Sequence, residues 1–457
     1  MFSVAGYPLK AGRRVTGYKA MKIHFIGVGG IGVSALVQYY LSQGAQITGS
    51  DLAFSEITEF LVKKGVTVFI GNSADHIKPG IDKVIYSPAV KPDNPEYQQA
   101  QKLGIELKSY PEALGELTGQ YTTIAVSGSH GKSTTTAMIA LILIKAGIDP
   151  TVIVGTKLKE FGNSNFRMGK SKYLVIEACE YDGSFLNYSP NIIVVTNVDK
   201  EHLDYFKTFA NVIKEFKKFI MRLPKDGFLI FNNDDKNVTG IATLRASGHA
   251  VRNDVVGYSL RQKEAAKLKK ILKVPGQHNI SNALAALEVA RVLGVKDEIS
   301  FEALGEFVGT WRRFEIKQLT INNKQFTIVS DYGNHPTEVA ATLKAAREKY
   351  PKQKIWLIFQ PHQYQRTYYL FKDFVTLFKK IKIDQIIITD IYDVAGREEK
   401  NINQKVNSEI LVKKIGKKNV RYMNTGEAGK FVKENIKNGE VLIIMGAGDI
   451  YKLADKF

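Results

Sequence analysis

The chain has 457 residues, of which 44% are hydrophobic, and this length exceeds what one hydrophobic core usually organises, so we expect a soluble enzyme of two or three domains. Its single cysteine, Cys179, excludes an intramolecular disulfide and a cysteine-rich metal site. The net charge of +19 suits nucleic acid, an anionic membrane surface or anionic substrates.

The basic residues are scattered through helix-like stretches such as residues 214–218 and 413–418, as on a solvated helix face, and no nucleic-acid-binding module is recognisable. We therefore predict anionic substrates as partners, without nucleic acid. No stretch is apolar for long enough to predict membrane insertion, and residues 1–20 carry four basic side chains without an apolar signal core. We expect a cytoplasmic protein and treat residues 1–20 as an extension without a predicted function.

The first predicted strand, Lys22–Ile26, leads into a glycine loop, residues 27–32, that fills the G-x-G-x-x-G pattern. A helix that ends near Gly44 and a second strand, Gln46–Asp51, complete a Rossmann-type start. From its spacing the loop predicts a dinucleotide, with Asp51 on a ribose hydroxyl. The physics of the loop specifies only a diphosphate at a helix N-terminus, so a UDP-sugar is an equally good alternative.

A second loop, residues 127–134, joins an apolar strand over residues 123–126 to an apolar helix that begins near Ser133. Its glycines let backbone N–H groups surround an anion, Lys132 supplies a point charge, and the Ser133 hydroxyl can ligate Mg²⁺. Strand, loop, Lys-Ser pair and helix together predict ATP binding. The predicted ATP contacts in this loop are Gly128, Ser129, His130, Gly131, Lys132, Ser133 and Thr134.

Acidic and histidine side chains follow two further predicted strands. The strand over residues 173–176 is followed by Glu177, and the strand over residues 192–196 by a segment that contains His202. Ligands of open α/β sheets bind at such strand ends. Because carboxylates beside a phosphate loop are normally metal ligands, Ser133, Glu177 and His202 are the predicted ligands of Mg²⁺ or Mn²⁺.

Composition changes near residues 117–121 and 309–313 predict three domains after the extension. The predicted boundaries are residues 1–20, 21–117, 118–311 and 312–457. The last third alternates strands, over residues 326–330, 354–359, 385–391 and 441–445, with helices over residues 335–350 and 368–381. Such alternation implies a mostly parallel, doubly wound sheet. The fold class is α/β, with a Rossmann-like N-terminal domain, a central P-loop ATPase-like domain with a parallel sheet, and a Rossmann-like C-terminal domain.

In their order along the chain, these motifs resemble the ATP-dependent Mur ligases of peptidoglycan synthesis, most closely the branch that adds L-alanine to UDP-N-acetylmuramate. The resemblance covers the chain from Met21 onward. It implies that the first glycine loop holds the UDP-sugar and that no nicotinamide is used. The implied UDP-sugar contacts are Gly27, Gly29, Gly30, Gly32, Ser50, Asp51, Ser87 and Ala89.

The same resemblance extends to the C-terminal side of the site. Residues 276–283 resemble the family's adenine-side helix start, residues 312–315 its arginine signature, and residues 331–336 and 359–367 two motifs that meet ATP and the amino acid. The implied ATP contacts are Asn279, Asn282, Arg313 and Asp331, and the implied amino-acid contacts are Tyr332, His362 and Arg366. The implied catalytic residues are Lys132, Glu177, His202, His335 and Arg366.

Two residues depart from the alanine-adding pattern: Asn334 stands where that branch typically has histidine, and Gln363 where it typically has arginine. A neutral amide cannot form the charged fork that holds a carboxylate, so Arg366 would carry this contact. The departures motivate one alternative, a Mur-like ligase that adds another amino acid or a recycled peptide. A nicotinamide-dependent oxidoreductase and a nucleotide-binding module without catalysis are further alternatives.

The resemblance implies a reaction in two steps. The γ-phosphoryl group of ATP passes to the muramyl carboxylate, and the amine of L-alanine or another small amino acid then attacks the acyl phosphate. Since no single predicted domain holds all the parts, we expect the C-terminal domain to close over the others. We expect a monomer or a weak homodimer.

Overall fold

A computed structural model describes residues 20–247, 255–321, 324–394 and 401–457, so the predicted extension lies outside the described residues except for its last residue. The strands form three sheets, one after another along the chain. Within the described ranges, no helix has both the length and the apolar character needed to cross a membrane. The cytoplasmic location, the oligomeric state and the absence of a nucleic-acid partner stay predictions.

The first sheet is wholly parallel, with the strand order β3-β2-β1-β4-β5. Its strands are β1 (Lys22–Ile26), β2 (Gln46–Asp51), β3 (Thr67–Ile70), β4 (Lys83–Tyr86) and β5 (Glu106–Ser109). Its helices are α1 (Ile31–Ser42), α2 (Glu56–Lys63), α3 (Pro95–Lys102) and α4 (Tyr110–Thr118). The predicted strands β1 and β2 are confirmed. The strand order reverses between β1 and β4, which is where a doubly wound sheet opens a crevice for ligands.

The second sheet has the order β12-β11-β10-β6-β9-β7-β8, and β8 alone in it runs antiparallel to its neighbour. Its strands are β6 (Thr122–Ser127), β7 (Thr151–Leu158), β8 (Ser164–Arg167), β9 (Tyr173–Glu177), β10 (Ile192–Val195), β11 (Phe228–Asn232) and β12 (Val255–Tyr258). The accompanying helices are α5 (Lys132–Lys145), α6 (Leu203–Phe206), α7 (Phe209–Ile220), α8 (Lys236–Ser247), α9 (Lys263–Ile271), α10 (Gln277–Val292) and α11 (Asp297–Glu306). Because β6 lies between β9 and β10, the segments that follow these three strands meet at one edge.

The third sheet has the order β13-β14-β18-β15-β16-β17, with β13 antiparallel to β14 and the remaining pairs parallel. Its strands are β13 (Glu315–Ile321), β14 (Lys324–Asp331), β15 (Ile355–Phe359), β16 (Gln385–Ile388), β17 (Val420–Tyr422) and β18 (Val441–Met445). Its helices are α12 (Pro336–Lys349), α13 (Tyr364–Tyr369), α14 (Phe371–Lys380), α15 (Ser408–Ile415) and α16 (Thr425–Asn435). Short 3₁₀ turns cover Ala74–His76, Lys159–Phe161, Tyr181–Asn187, Ile402–Gln404 and Asp449–Lys456.

Two predictions for this third sheet are corrected. The strand predicted over residues 385–391 ends at Ile388, because the chain then leaves the ladder and the Tyr392 N–H donates to the Pro361 carbonyl at 2.8 Å. The helix predicted over residues 368–381 is two helices, α13 and α14, which meet at Leu370. The domain boundaries stay predictions, and the one between residues 117 and 118 falls inside α4.

A buried amide cluster joins the first sheet's helix α1 to the second sheet's strand β8. The Gln38 amide donates to Asn165 Oδ1 at 2.8 Å and accepts from the Ser164 hydroxyl at 2.9 Å. Asn165 in turn donates to the Ser34 hydroxyl at 3.0 Å. Buried amides tolerate little displacement once their donors and acceptors are satisfied. This cluster therefore fixes where the first glycine loop, at the start of α1, stands relative to the central sheet.

Candidate active site

The phosphate loop, residues 127–134, requires glycine at two positions because neighbouring side chains approach its backbone. Gly128 has a φ of +135°, and a Cβ there would lie 2.1 Å from Thr196 Oγ1. Gly131, at the N-terminus of α5, has a φ of +83°, and a Cβ there would lie 2.5 Å from Asn282 Oδ1. Both conformations are ones that residues with side chains rarely adopt. The loop leaves the first N–H groups of α5 without intrahelical acceptors, as an anion site requires.

Asn197, just after β10, holds the phosphate loop in shape. Its carbonyl accepts from the Ser129 N–H at 3.0 Å and its side-chain oxygen from the His130 N–H at 2.8 Å, while its amide donates to the His130 carbonyl at 2.9 Å. Thr196 adds a hydroxyl bond to the same carbonyl at 2.6 Å. A loop with three backbone groups tied in this way is preorganised before any nucleotide arrives.

The two reactive side chains of the loop each meet an acid. The Lys132 ammonium lies 3.0 Å from the fully buried Glu180 and also donates to the Gly128 carbonyl. Burial lowers the pKa of Lys132, but Glu180 and its acidic neighbours more than offset this, so the pKa lies above its ordinary value and the ammonium stays charged. The Ser133 hydroxyl donates to Glu177 at 2.7 Å, so the predicted metal pair is brought together.

His202, the third predicted metal ligand, caps the N-terminus of α6 with a φ of 54°. Its Nε2 lies 3.8 Å from Glu180 and 3.9 Å from Glu201, and its ring lies 4.9 Å from that of Tyr181. Burial lowers the pKa of His202, which keeps the imidazole neutral and able to coordinate a metal. Its nearest acid is therefore Glu180, whereas Ser133 pairs with Glu177.

A cavity of about 580 Å³ opens beside the phosphate loop, between the second and third sheets. That volume lies within the range of small-molecule sites. Seven residues predicted to bind ATP line it, namely His130, Gly131, Thr134, Asn279, Asn282, Arg313 and Asp331. Residues 234–237 form part of the opposite wall. The cavity thus brings residues that are more than 200 positions apart in sequence around one nucleotide-sized space.

Asp331, at the end of β14, is engaged by its own domain. One carboxylate oxygen accepts from the Gly333 N–H at 2.8 Å and the other from the Phe314 N–H at 2.9 Å. Burial raises the pKa of Asp331 despite these bonds and the nearby Arg313. Arg313 lies 3.5 Å from Glu338 and 5.0 Å from the Tyr332 ring, so the predicted amino-acid contact Tyr332 stands beside the arginine signature.

Arg366, the predicted clamp for the amino-acid carboxylate, reaches the central domain. Its guanidinium donates to Glu201 at 2.8 Å and also to the side-chain oxygen of Asn334. A guanidinium has five N–H donors, so further donors remain for a carboxylate ligand. His362 stacks on Tyr392 with ring centroids 5.5 Å apart. The Asn334 amide, one of the two departures from the family pattern, thus positions the clamp.

Gln363, the second departure, shapes the backbone of the same motif. It has a φ of +67° and its N–H donates to the Tyr392 carbonyl at 2.9 Å. Its side chain is 9% exposed. A residue with a side chain in this conformation is strained, and such strain concentrates at functional sites.

His130 joins the phosphate loop to the C-terminal domain. Its Nε2 lies 3.1 Å from Asp199 and its Nδ1 3.4 Å from Glu338. Asp199 also accepts from the Thr337 hydroxyl at 2.7 Å. Burial lowers the pKa of His130, but the two carboxylates outweigh it and raise the pKa to about 9. The same contacts hold the pKa of Asp199 and of Glu338 below the ordinary values, although burial alone would raise them.

His335, a predicted catalytic residue, is 3% exposed and caps α12. Its Nδ1 accepts from the Thr337 N–H at 3.2 Å, which places the ring proton on Nε2. That Nε2 has no hydrogen-bond partner among the described residues. Burial lowers the pKa of His335, so the ring is neutral and offers one N–H donor to a ligand.

Donor atoms of His130, Glu201 and His335 lie within 4.8 Å of one another, a spacing compatible with a metal ion. Each of the three side chains already faces a partner in the protein. Both ring nitrogens of His130 face carboxylates, and Nδ1 of His335 accepts a backbone bond. Glu201 is paired with Arg366. The cluster is therefore a set of contacts between domains.

The first glycine loop, residues 27–32, is held by the end of β2. The Ser50 carbonyl accepts from the N–H groups of residues 27 and 28 at 2.8 and 2.9 Å. Asp51 Oδ2 accepts from the Gly29 N–H at 2.8 Å, and the Ser50 hydroxyl is buried against Glu96. Asp51 thus holds the loop itself, and the Ser50 side chain points into the protein. A contact of Asp51 with a ribose hydroxyl stays a prediction.

Steric requirements differ along this loop. A Cβ on Gly27 would lie 2.9 Å from Ser87, and one on Gly32 would lie 2.9 Å from the Tyr110 hydroxyl. A Cβ on Gly30 would meet nothing closer than the Gly27 carbonyl at 3.5 Å. The backbone of Ala89, exposed in the crevice, donates to Ser87 Oγ at 3.3 Å. A side chain at position 30 would therefore meet no steric clash at its Cβ within the protein.

Five residues of the site were not assigned individual roles from the sequence: Glu180, Asn197, Asp199, Glu201 and Glu338. Four of them lie in the two strand-end segments already singled out. Glu338 lies in the first turn of α12, where an acid is ordinary at a helix N-terminus. Nothing in local sequence indicates that it faces His130, because that contact depends on how two domains pack.

The contacts of His130 with Asp199 and Glu338 predict a specific pH dependence of the protein's stability. With a pKa of about 9 in the folded protein against an ordinary value near 6.5, the protonated ring contributes stability that is fully present below about pH 6.5 and is lost as the pH rises through 9. We expect a contribution on the order of 3 kcal/mol. Thermal unfolding of the parent and of His130→Gln should therefore differ most at pH 6.5 and converge by pH 10.

His278→Gln is the matched control, because burial lowers the pKa of His278 to about 4 and its ring does not titrate in this range. Its unfolding curves should follow the parent's pH dependence. A constant difference between the parent and His130→Gln from pH 6.5 to 10 would contradict the assigned charge of His130.

The sequence is similar to known proteins along nearly its whole length. The chain matches models described as the Mur ligase family catalytic domain over residues 22–122, the Mur ligase middle domain over 126–290 and the Mur ligase glutamate ligase domain over 312–448. It is 39% identical to the UDP-N-acetylmuramate–L-alanine ligase of Caldanaerobacter subterraneus subsp. tengcongensis, over 96% of this chain and 97% of that protein.

Two solved structures share the architecture. The UDP-N-acetylmuramate-alanine ligase of Thermotoga maritima has a TM-score of 0.76 at 28% identity, covering 96% of this chain and 98% of its own. A murein peptide ligase from Psychrobacter arcticus has a TM-score of 0.71 at 22% identity with the same coverage. At that identity the similarity shows a shared fold and nothing about activity. Three domain matches in order and an identity of 39% across nearly the whole chain establish that this protein belongs to the Mur ligase family.

Proposed function

We propose that this chain joins L-alanine to the lactyl carboxylate of UDP-N-acetylmuramate, converting ATP to ADP and phosphate, in peptidoglycan precursor synthesis. One observation carries this proposal: residues 201 and 202 link Arg366 to the phosphate loop. Glu201 contacts Arg366, and His202 lies beside Glu180, the partner of Lys132. A phosphate-binding site and a carboxylate clamp are thus held next to each other. The name of the curated relative supports L-alanine as the amino acid.

ATP is the nucleotide that the cavity suits best. Asn279, Asn282 and Arg313 line it, and the phosphate loop with Lys132 lies beside it. Ser133 and Glu177 offer the oxygen donors that Mg²⁺ or Mn²⁺ prefers, and His202 is a neutral imidazole nearby. When bound, such a cation would offset negative charge on the phosphates.

The muramyl carboxylate is a poor electrophile, because its leaving group would be oxide. One of its oxygens attacks the γ-phosphorus of ATP, ADP leaves, and an acyl phosphate forms. Lys132 and the first N–H groups of α5 stabilise charge on the phosphoryl oxygens. The amine of the amino acid then attacks the acyl carbon, loses a proton, and phosphate leaves. His335, with its neutral ring and free Nε2–H, is placed to donate to an anionic oxygen.

The amino acid is the substrate on which the sequence and the family pattern differ. Arg366 is the cation left to hold its carboxylate, since Gln363 is neutral. A ligase that adds a recycled peptide or another amino acid remains the second candidate, favoured by Asn334 and Gln363. The oxidoreductase alternative has no support, because family membership and the phosphate loop both indicate an ATP-dependent ligase.

The decisive assay measures ADP release by the purified full chain with and without UDP-N-acetylmuramate, against L-alanine, glycine, L-serine and a murein tripeptide. We expect release to need both the sugar nucleotide and L-alanine, with a product of the mass of UDP-N-acetylmuramoyl-L-alanine. Faster turnover of the tripeptide would favour the second candidate. ADP release that no acceptor stimulates would argue against both.

Lys132→Ala tests the phosphate loop. Removing a fixed counter-charge of this kind costs on the order of 3 kcal/mol at the transition state, about a hundredfold or more in rate. We expect this loss in kcat, with a folded protein by circular dichroism. Lys145→Ala is a control, because Lys145 lies on the same helix α5 but pairs with Glu302 and Glu306 at its far end. Near-parental activity of Lys132→Ala would remove Lys132 from the mechanism.

Gly30→Val tests the sugar-nucleotide loop. Its backbone, at φ −66°, accommodates valine, and the added Cβ would make only ordinary van der Waals contacts, with the Gly27 carbonyl and Val33. A side chain there should obstruct a diphosphate and raise the KM for UDP-N-acetylmuramate about tenfold or more, with the KM for ATP near normal. Gly240→Val, at an open and exposed site on α8, is the matched control. Calorimetry that showed NADH binding and no UDP-sugar binding would overturn the ligand assignment.

Arg366→Met tests the carboxylate clamp. Each charge-assisted contact is worth roughly 1.5–3 kcal/mol, so we expect the KM for L-alanine to rise about tenfold or more while ATP binding stays near normal. Arg366→Lys keeps the charge facing Glu201 and separates loss of the planar fork from loss of the ion pair. An unchanged KM for L-alanine in the methionine variant would place the carboxylate elsewhere.

A further inference from the structure

A carboxylate is buried beneath the first glycine loop. Glu96, the second residue of α3, has no exposed surface. Its Oε2 accepts from the Ser50 hydroxyl at 2.5 Å and lies 3.4 Å from Nε2 of His24. Its Oε1 accepts from His76 Nδ1 at 2.5 Å and from the Ser73 N–H at 3.2 Å. Four donors from three other segments thus converge on one side chain.

This network lies on the polar part of one face of the first sheet. His24 in β1 pairs in register with Thr48 in β2, and the His24 ring also contacts the Thr48 hydroxyl at 2.8 Å. The rest of that face is apolar, formed by the buried side chains of Ile26, Ile77, Val84 and Ala100. An apolar residue at position 96 would extend this cluster without a desolvation penalty.

Glu96 nevertheless remains ionised. Burial raises the pKa of the Glu96 carboxyl, but the bonds from His24, Ser50 and His76 lower it by a larger amount. The pKa therefore lies below its ordinary value. Buried ionic networks are often no more stabilising than well-packed apolar replacements, so stability alone is a weak reason for this one. Such networks are better explained where they specify one geometry for the segments they join.

The joined segments are those that border the ligand crevice. Ser50 is the last residue but one of β2, residues 73–76 follow β3, and Glu96 lies in the first turn of α3, after β4. The Ser50 carbonyl holds the N–H groups of residues 27 and 28, and the adjacent Asp51 holds that of Gly29. The position of Ser50 therefore determines how the loop presents the first N–H groups of α1, which have no intrahelical acceptor.

We propose that Glu96 is a positioning residue for the sugar nucleotide. It acts through Ser50 and the turn after β3, and keeps the first glycine loop in the geometry that receives the diphosphate. The inference rests on the proposed function in one respect, that a UDP-sugar binds at this loop. It adds a residue that has no exposed surface and therefore acts through its neighbours.

Glu96→Gln is the primary test. Glutamine keeps the volume but turns one acceptor into a donor, so the hydroxyl of Ser50 and the ring N–H of His76 can no longer both donate to residue 96. Since displacement by about 1 Å can cost a hundredfold, we expect the KM for UDP-N-acetylmuramate to rise about tenfold or more. The kcat at saturation and the KM for ATP should stay within about twofold, a separation that general destabilisation would not produce.

Glu440→Gln is the matched control. Glu440 is also buried, at 7% exposure, and its carboxylate accepts from the Trp356 indole at 2.8 Å and the Lys437 N–H at 2.9 Å, within the third sheet's domain. Its loss should lower the melting temperature and leave both KM values unchanged. If Glu96→Gln does not fold, Ser50→Ala removes a single donor and should raise the KM for the sugar nucleotide alone.

Calorimetry with UDP-N-acetylmuramate separates the two ways of failing. If the parent and folded Glu96→Gln bind it with equal affinity, Glu96 has no positioning role although the proposed function stands. If the parent itself does not bind it, the proposed function and this inference fall together. Binding that is strong in the parent and in Glu440→Gln but weakened in Glu96→Gln supports the inference.

Discussion

The segment after β10, residues 197–202, is the constraint on which the rest of the site depends. At its start, Asn197 holds the phosphate loop through hydrogen bonds to three backbone groups of that loop. Further on, Asp199 accepts from Thr337 and Glu201 pairs with Arg366, both from the C-terminal domain. Because this one short segment contacts both the phosphate loop and the carboxylate clamp, it fixes the position of each relative to the other. The site forms only when β10 lies next to β6 in the central sheet.

Charge pairing is the second theme of the site. Each principal cation has an acidic partner in the protein alone: Lys132 has Glu180, Arg313 has Glu338 and Arg366 has Glu201. A partly buried cation without such a partner would be costly. An anionic ligand that enters this site therefore meets cations that are already paired with carboxylates. It must either displace those carboxylates or bind to the N–H donors that they leave unused. That arrangement favours ligands whose geometry matches the remaining donors, which is a source of specificity.

The overall charge of +19 says less about function than its size suggests. Several of the acids that matter are buried at the junction of the second and third sheets, and they set the protonation of their neighbours. His130 shows the effect, since its pKa rises to about 9 between Asp199 and Glu338, whereas burial lowers the pKa of the nearby His335. Two histidines with ring centroids 4.8 Å apart thus differ in charge because of their partners.

The sequence by itself determined the local units of this protein. The strand, glycine loop and helix of both phosphate cradles were predicted, because apolar periodicity and glycine spacing are properties of short segments. The meeting of Ser133 with Glu177 was also predicted, since the carboxyl ends of parallel strands share one edge. The antiparallel edge strand β13 was missed, because its short run mixes charged and apolar residues without a clear period.

Only the tertiary structure decided which partners the polar side chains take. Asp51 accepts from the Gly29 N–H and Ser50 donates to Glu96, because strand register and the packing of α3 bring those groups together. The contacts of His130 with Glu338 and of Arg366 with Glu201 span more than 160 residues and cross between domains. Local sequence carries no information about such pairs, because they arise from the order of strands in a sheet and from the packing of one domain on another.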